Sequence, residues 1–173
     1  FLQNIIRNLK HDWPMHFILF FTNWLPDNII FLRLRGFLAR PFFNSCGKNL
    51  RIGRDLTFYN CGNISIGCNV YIARSNWFSA GDKITIGDEV IFGPMSSISA
   101  SNHTSKGGSF RYGKPITKPI NIEKGTWISA HCAIIAGVNI GENSLIGANT
   151  VVSKNVPKKV LFAGNPGKVV KHL

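Results

Sequence analysis

Two groups of residues in this chain could do chemistry. The first is an imidazole. His103 follows Ser101-Asn102 and opens a polar, glycine-rich and basic stretch over residues 103–117. Imidazole exchanges its proton near neutrality, so a histidine held there can take a proton from a hydroxyl and pass it on. The second group is cationic. After Glu142 no acidic residue remains, whereas Lys154, Lys158, Lys159, Lys168 and Lys171 follow. Such a run suits a phosphate-bearing ligand, or else is a solvated tail. Of the other histidines (His11, His16, His131 and His172), only His131 falls inside the repeats described below, at an outward-facing position.

The formal net charge of +12 would also attract nucleic acid or anionic lipid. Aromatics do not interleave with the C-terminal lysines and no helix-turn-helix or similar motif occurs, so nucleic acid is not an expected partner. Cys46, Cys61, Cys68 and Cys132 form no Cys-x-x-Cys pair and no zinc spacing. They read as free thiols of a reducing cytoplasm. A histidine-bound metal would need several imidazoles on neighbouring repeats; only His103 and His131 lie there, so no metal is expected.

The elements that must position these groups are written as a beat of six. Ile122, Ile128, Ile134, Ile140, Ile146 and Val152 recur at that interval, with small or β-branched residues at each fifth position: Thr126, Cys132, Val138, Ser144, Thr150 and Val156. Six fits neither the helical period nor strict strand alternation. It fits a chain that turns a corner every six residues, three hexads to a triangular coil, so that residues 122–139 and 140–157 read as successive coils. Stacking makes the core continuous, and each buried isoleucine contributes about 1.5–3 kcal/mol. The beat begins near Gly47 with Ile52 and Phe58, continues through Ile66, Ile72 and Phe78, slips by two residues at Gly81-Asp82, and resumes with Ile86, Phe92 and Ile98. Residues 103–117 keep the count but not the chemistry. They read as a loop thrown out from the stack, and long loops on compact repeats usually carry function.

The chain thus divides into a helical cap (1–45), a mainly β repeat domain (46–157) and a basic C-terminal extension (158–173). In the cap, apolar spacing predicts helices over about 3–22 and 26–40, the second starting at Pro26-Asp27 and ended by Pro41. The apolar stretch from Met15 to Phe21 is too short to span a bilayer and lacks a signal-peptide cleavage site. The cap either covers the open end of the prism or docks on a membrane that bears a lipid-linked glycan.

Ser101-Asn102-His103 and a longer signature carry a resemblance. The signature runs from Ile122 through Trp127-Ile-Ser-Ala-His-Cys, Ile140-Gly-Glu-Asn-Ser, Ile146-Gly-Ala-Asn-Thr-Val-Val-Ser-Lys and Phe162-Ala-Gly-Asn-Pro to Lys168. On these motifs residues 45–171 resemble the hexapeptide-repeat acyltransferases, in the branch of maltose, galactoside and polysaccharide O-acetyltransferases. The resemblance implies a left-handed parallel β-helix, a homotrimer and a cytoplasmic enzyme that uses acetyl-CoA as co-substrate. It implies that His103 is the general base of a direct transfer to a sugar hydroxyl, with the backbone N–H of Ser129 or Ala130 facing the oxyanion. Ala130, Ala148, Ser153 and Lys154 fall on CoA-contacting positions. Lys168 and Lys171 fall where basic residues, often arginine in the family, meet the CoA phosphates, and Trp127 matches an aromatic beside the cleft. Asn76, Asp82 and Asn102 are the acceptor-side candidates, although Asn76 and Asp82 do not align cleanly. The expected acceptor is a surface polysaccharide unit of a capsule, exopolysaccharide or lipopolysaccharide. The alternatives are an antibiotic-modifying O-acetyltransferase and a non-catalytic β-helix scaffold.

Overall fold

The computed structural model describes residues 2–173. A side chain that must be buried every six residues produces strands of only two or three residues joined by corners, and these assemble into three flat faces. The first face is built from Ser45–Cys46, Ile64–Ile66, Ile84–Ile86, Ile120–Ile122 and Asn139–Ile140. The second holds Arg51–Ile52, Tyr71–Ile72, Ile91–Phe92, Trp127–Ile128, Leu145–Ile146, Val160–Gly164 and Gly167–His172. The third holds Thr57–Tyr59, Trp77–Ser79, Ser97–Ser99, Ala133–Ile134 and Val151–Val152. Every pairing on the three faces is parallel except the last on the second face. The result is a parallel β-helix.

Register puts like residues on top of like. Ile66, Ile86, Ile122 and Ile140 align on the first face, and Ile52, Ile72, Phe92, Ile128, Ile146 and Phe162 on the second. All are buried. Towards the cap the core is wider and is filled by rings: Phe43, Phe58, Phe78 and Phe92 form a chain with centroids 5.1–5.3 Å apart. The corners explain the small and amide residues of the sequence. The fourth position of most hexads takes a left-handed φ, as at Asn69, Gly125, His131, Asn143 and Asn149, a conformation that asparagine and glycine tolerate best. His131 is therefore a corner residue.

Fifth positions point inward and rivet coil to coil. Asn76 donates to the carbonyls of Ala73 (2.7 Å) and Gly93 (3.0 Å) and accepts from the Ser96 N–H (2.9 Å). Ser96 donates in turn to the Ser129 carbonyl (3.1 Å) and accepts from the Cys132 N–H (3.0 Å). Buried polar groups satisfied in this way hold the coils in one register.

The passage from the third face to the first behaves differently from the other two. It is two residues longer between Phe58 and Ile66 and again between Phe78 and Ile86, and on the next coil it throws out the arm that begins at Ser101. The arm is not a structureless loop. Ser101 and Asn102 pair antiparallel with Thr117 and Ile116. Thr104 Oγ1 donates to the Lys114 carbonyl at 2.6 Å, and Lys106 and Ser109 exchange backbone hydrogen bonds across Gly107-Gly108. It is a hairpin.

The cap is helical: α1 (Leu2–Arg7), a π-helical turn (Asn8–Asp12), α2 (Trp13–Thr22) and α3 (Ile29–Ala39). The second helix starts later than Pro26, because Asn28 is its N-cap and its side chain accepts from the N–H groups of Ile30 and Phe31 at 3.1 Å. Two acids fasten the cap. Asp12 accepts from the backbone N–H groups of Asn60 and Cys61 at 3.2 and 2.9 Å. Asp27 pairs with the fully buried Arg35 at 2.7 Å, and Arg35 also donates to the carbonyls of Thr22, Leu25 and Ile52. At the other end, residues 158–173 differ from the expected extension. Val160–Gly164 continues the second face because Val160 and Phe162 are buried, and Gly167–His172 folds back antiparallel as its edge.

Candidate active site

The candidate residues are distributed over two edges of the prism. The edge between the second and third faces carries, coil by coil, Gly93-Pro94, Ser129-Ala130, Gly147-Ala148 and Ala163-Gly164, as the strand register fixes. The edge between the third and first faces carries Ser79-Ala80, Ser99-Ala100, Ile135-Ala136 and Ser153-Lys154.

On the first of these edges the coils approach closely. A Cβ added at Gly93 would stand 2.7 Å from the Ala130 nitrogen, so only glycine lets Ala130 sit there. Beneath this edge runs the ladder of Asn76, Ser96 and Cys132. The Ser129 N–H is spent on the Ile146 carbonyl at 3.0 Å, whereas the Ala130 N–H has no place in the backbone ladder. At three other corners the equivalent third-position N–H faces a carboxylate: Cys68 donates to Asp88 Oδ1 at 2.6 Å, Glu142 to Glu123 Oε2 at 3.0 Å and Arg54 to Asp27 Oδ2 at 3.4 Å. A corner N–H of this fold can thus face an anion, and among the described residues no side-chain carboxylate takes that of Ala130. Of the two amides named by sequence, Ala130 is the available one.

Trp127 lies on the outer second face, in register with Ile91 and Leu145, and is half exposed. Lys168 and Lys171 stand on the terminal hairpin opposite Ala163 and Leu161. Trp127, Ser129, Ala130, Ala148, Lys168 and Lys171 are therefore brought to one side of the molecule. Together they offer an apolar wall, close backbone and two cations, which suits a long ligand with a phosphate end.

His103 belongs to the other edge. It stands exposed at the root of the arm, one residue beyond the Asn102–Ile116 pair. Ser153 and Lys154 lie on this edge too, and Lys118 of the returning strand packs against Gly137. Among the described residues no ion pair includes His103. Asp82 is near the arm: its neighbour Gly81 abuts Ser101 and Thr117, while its own carboxylate accepts from the Lys83 N–H at 2.7 Å. Asn76 is a correction. It is only 1 % exposed and its amide is occupied inside the coils, so it cannot present itself to an acceptor. Counting the beat from Ile72 puts Asn76 on a fifth position, a signal that marks it as a rivet.

Three of the thiols are held towards their neutral form. Burial pushes Cys46 up to about 11. It also raises Cys132, and it raises Cys61, where Asp12 adds to the effect. The larger cavities lie elsewhere, at the cap: a groove of about 450 Å³ that includes Trp13, His16 and Tyr59, and an apolar one of about 720 Å³ lined by Ile18 and by residues 37–46, from the end of α3 to the first strand. His103 instead occupies open surface in the single chain.

A family model described as bacterial transferase hexapeptide (six repeats) matches residues 119–154. The galactoside O-acetyltransferase of Escherichia coli (strain K12) is 34% identical over 137 residues, 79% of this chain and 67% of that protein. The solved structure of a hexapeptide-repeat-containing acetyltransferase from Vibrio cholerae O1 biovar eltor, complexed with acetyl coenzyme A, has a TM-score of 0.81 at 28% identity and covers 92% of this chain and 85% of its own. A maltose O-acetyltransferase from Clostridium difficile 630 has a TM-score of 0.82 at 26% identity, covering 97% and 88%.

Proposed function

This chain belongs to the hexapeptide-repeat acetyltransferases of the galactoside and maltose O-acetyltransferase type, and we propose that it carries the acetyl group of acetyl-CoA to a sugar hydroxyl with His103 as the general base. It is an acetyl-CoA-dependent enzyme. The remaining roles are those that the family resemblance implies, placed on this chain's own residues. The acceptor oxygen attacks the thioester carbonyl as His103 takes the hydroxyl proton. The tetrahedral oxyanion faces the Ala130 N–H, a preorganised donor. Collapse breaks the carbon–sulfur bond, and the departing CoA thiolate takes the proton from His103. The products are an O-acetyl ester and free CoA. The acetyl group never resides on the enzyme, in keeping with the raised thiols.

The observation that carries this reading is the place of His103, on the edge where the beat is broken and the hairpin arm leaves. Trp127, Ala130 and Ala148 would line the pantetheine, and Lys168 and Lys171 would meet the phosphates. Ser153 and Lys154 lie on the His103 edge, so they would touch CoA from a second wall. Because the two edges belong to different corners of one prism, a homotrimer supplies the natural cleft: the arm of one subunit faces the Ala130 edge of its neighbour. Asn102 and Asp82, close to the arm, would meet the acceptor. We read that acceptor as a unit of surface polysaccharide, modified in the cytoplasm at the inner face of the membrane where lipid-linked glycans are assembled.

Thiol release from acetyl-CoA against a panel of galactosides, maltose and polysaccharide repeat units, with products weighed by mass spectrometry, tests the reading. A sugar that gains one acetyl group supports it. Acetyl-CoA turnover that acetylates only amines or non-sugar hydroxyls overturns it.

A further inference from the structure

The helical cap has a second apolar side that the prism does not use. Met15, Leu19 and Thr22 of α2 are buried against the first coil. On the opposite side Leu9, Trp13, Phe17, Phe20, Phe21 and Trp24 recur at helical spacing and are at least half exposed, Trp24 to 77%. Their rings cluster with one another in the open: Phe17 lies 6.5 Å from Phe21, and Phe20 lies 5.3 Å from Phe21. α3 repeats the arrangement, with Arg35, Gly36 and Ala39 buried and Ile30 and Phe37 exposed to 70% and 72%. An apolar groove of about 720 Å³ beside the exposed Phe37 is lined by Ile18, Phe37 and Phe42 together with Arg40. Exposed apolar surface of this extent marks a binding face.

Charge identifies its partner. Lys10, Arg33 and Arg40 are exposed on the cap, as is Lys48 just after it. The acids of residues 1–45, Asp12 and Asp27, are engaged by the Cys61 N–H and by Arg35, and Asp55, which borders the groove beside Trp13 and Phe20, is paired with Arg74 at 3.2 Å. The surface is therefore apolar with a basic surround, and its neighbouring acids are paired. Tryptophan at both ends of α2 is the pattern of a helix lying in a bilayer interface, with basic side chains reaching the headgroups. No helix among the described residues is long and apolar enough to cross a membrane.

We infer that this face of α2 and α3 docks on an anionic bilayer, with both helices lying in the plane of the headgroups. The inference is independent of acetyl transfer, and its test separates the two. The full-length protein is floated with vesicles of phosphatidylcholine alone or of phosphatidylcholine with phosphatidylglycerol, at low and high salt. The wild type floats with the anionic vesicles at least about tenfold better than with neutral ones, and salt weakens the binding. The variant F20S/F21S/W24S loses flotation, and R33E/R40E loses the preference for anionic lipid. Thiol release with a soluble acceptor is unchanged in F20S/F21S/W24S, which also shows that it is folded. Wild type that stays unbound overturns the inference. So does an exposed-face variant that floats like wild type, or sedimentation showing that the same substitutions only dissolve a larger self-assembly.

Discussion

Thr104 and Lys114 are joined across the neck of the hairpin arm: the Thr104 hydroxyl donates to the Lys114 carbonyl at 2.6 Å, immediately after His103. Gly113, next to Lys114, packs so tightly across the neck that an added Cβ would collide with the Thr104 carbonyl. His103 thus stands at the root of a zipped hairpin. Thr104 is a positioning residue in this account. Thr104→Val should lower kcat by about tenfold to a hundredfold, the scale of a small misplacement at a reacting centre. The Kd for acetyl-CoA and the Tm should stay near wild type. Equal losses in kcat and in thermal stability would assign the pair to folding alone.

The close approach of Gly93 to Ala130 gives a prediction for the other edge. Gly93→Ala places a methyl 2.7 Å from the Ala130 nitrogen, and the corner must shift. Acetyl-CoA binding should weaken and kcat should fall together, by about tenfold or more, because a displaced oxyanion donor costs turnover. Isothermal titration with CoA and steady-state kinetics read the two effects. Unchanged values in a folded protein would remove Ala130 from the site.

Arg35 is the test of the cap. It is fully buried and paired with Asp27. Arg35→Ala leaves Asp27 and three backbone carbonyls without their donor and should cost about 3–5 kcal/mol. Arg54, at 3.9 Å from Asp27, recovers little of it, because a partly exposed pair contributes less than about 1 kcal/mol. Urea unfolding of the pair of variants Arg35→Ala and Arg54→Ala should show this asymmetry.

Alkaline pH should loosen the molecule. A thiol whose folded-state pKa is raised favours folding while the unfolded thiol would remain protonated, below about 9, and loses that contribution as pH rises towards its folded value. For Cys46 that window runs from the ordinary 9.0 to about 11. Burial raises Cys132 and Cys61 as well, so they act in the same direction. The urea midpoint should fall across this range, and Cys46→Ala should flatten the fall.

How much of this was legible depended on whether a residue keeps the beat. The aliphatic positions from Ile52 to Val152 announce their own burial, because one-in-six burial admits few other chain paths. The place of His103, at the break in the chemistry of that beat, was legible; the role proposed for it comes from the family resemblance. The hairpin nature of the arm was not, since its pairing rests on two residues at each end and on one threonine hydroxyl. Asn76 was misread because it lies in the coil before His103, where the resemblance places acceptor-binding groups, whereas the fifth position turns it inward. Residues 160–164 were read as an extension because Pro157 to Lys159 interrupt the beat, yet Val160 and Phe162 resume the same face. The division of the site between two edges follows from corner order alone, but it emerges only once the faces are assigned.

The central claim is that His103 takes the proton of the acceptor hydroxyl. Its most direct test is the turnover of His103→Ala and His103→Asn with acetyl-CoA and the best sugar acceptor, alongside the Kd for CoA. The account predicts a loss in kcat of about 10²–10³-fold in both variants, with CoA affinity and assembly mass unchanged. Turnover within a few-fold of wild type in a correctly assembled His103→Ala would contradict it.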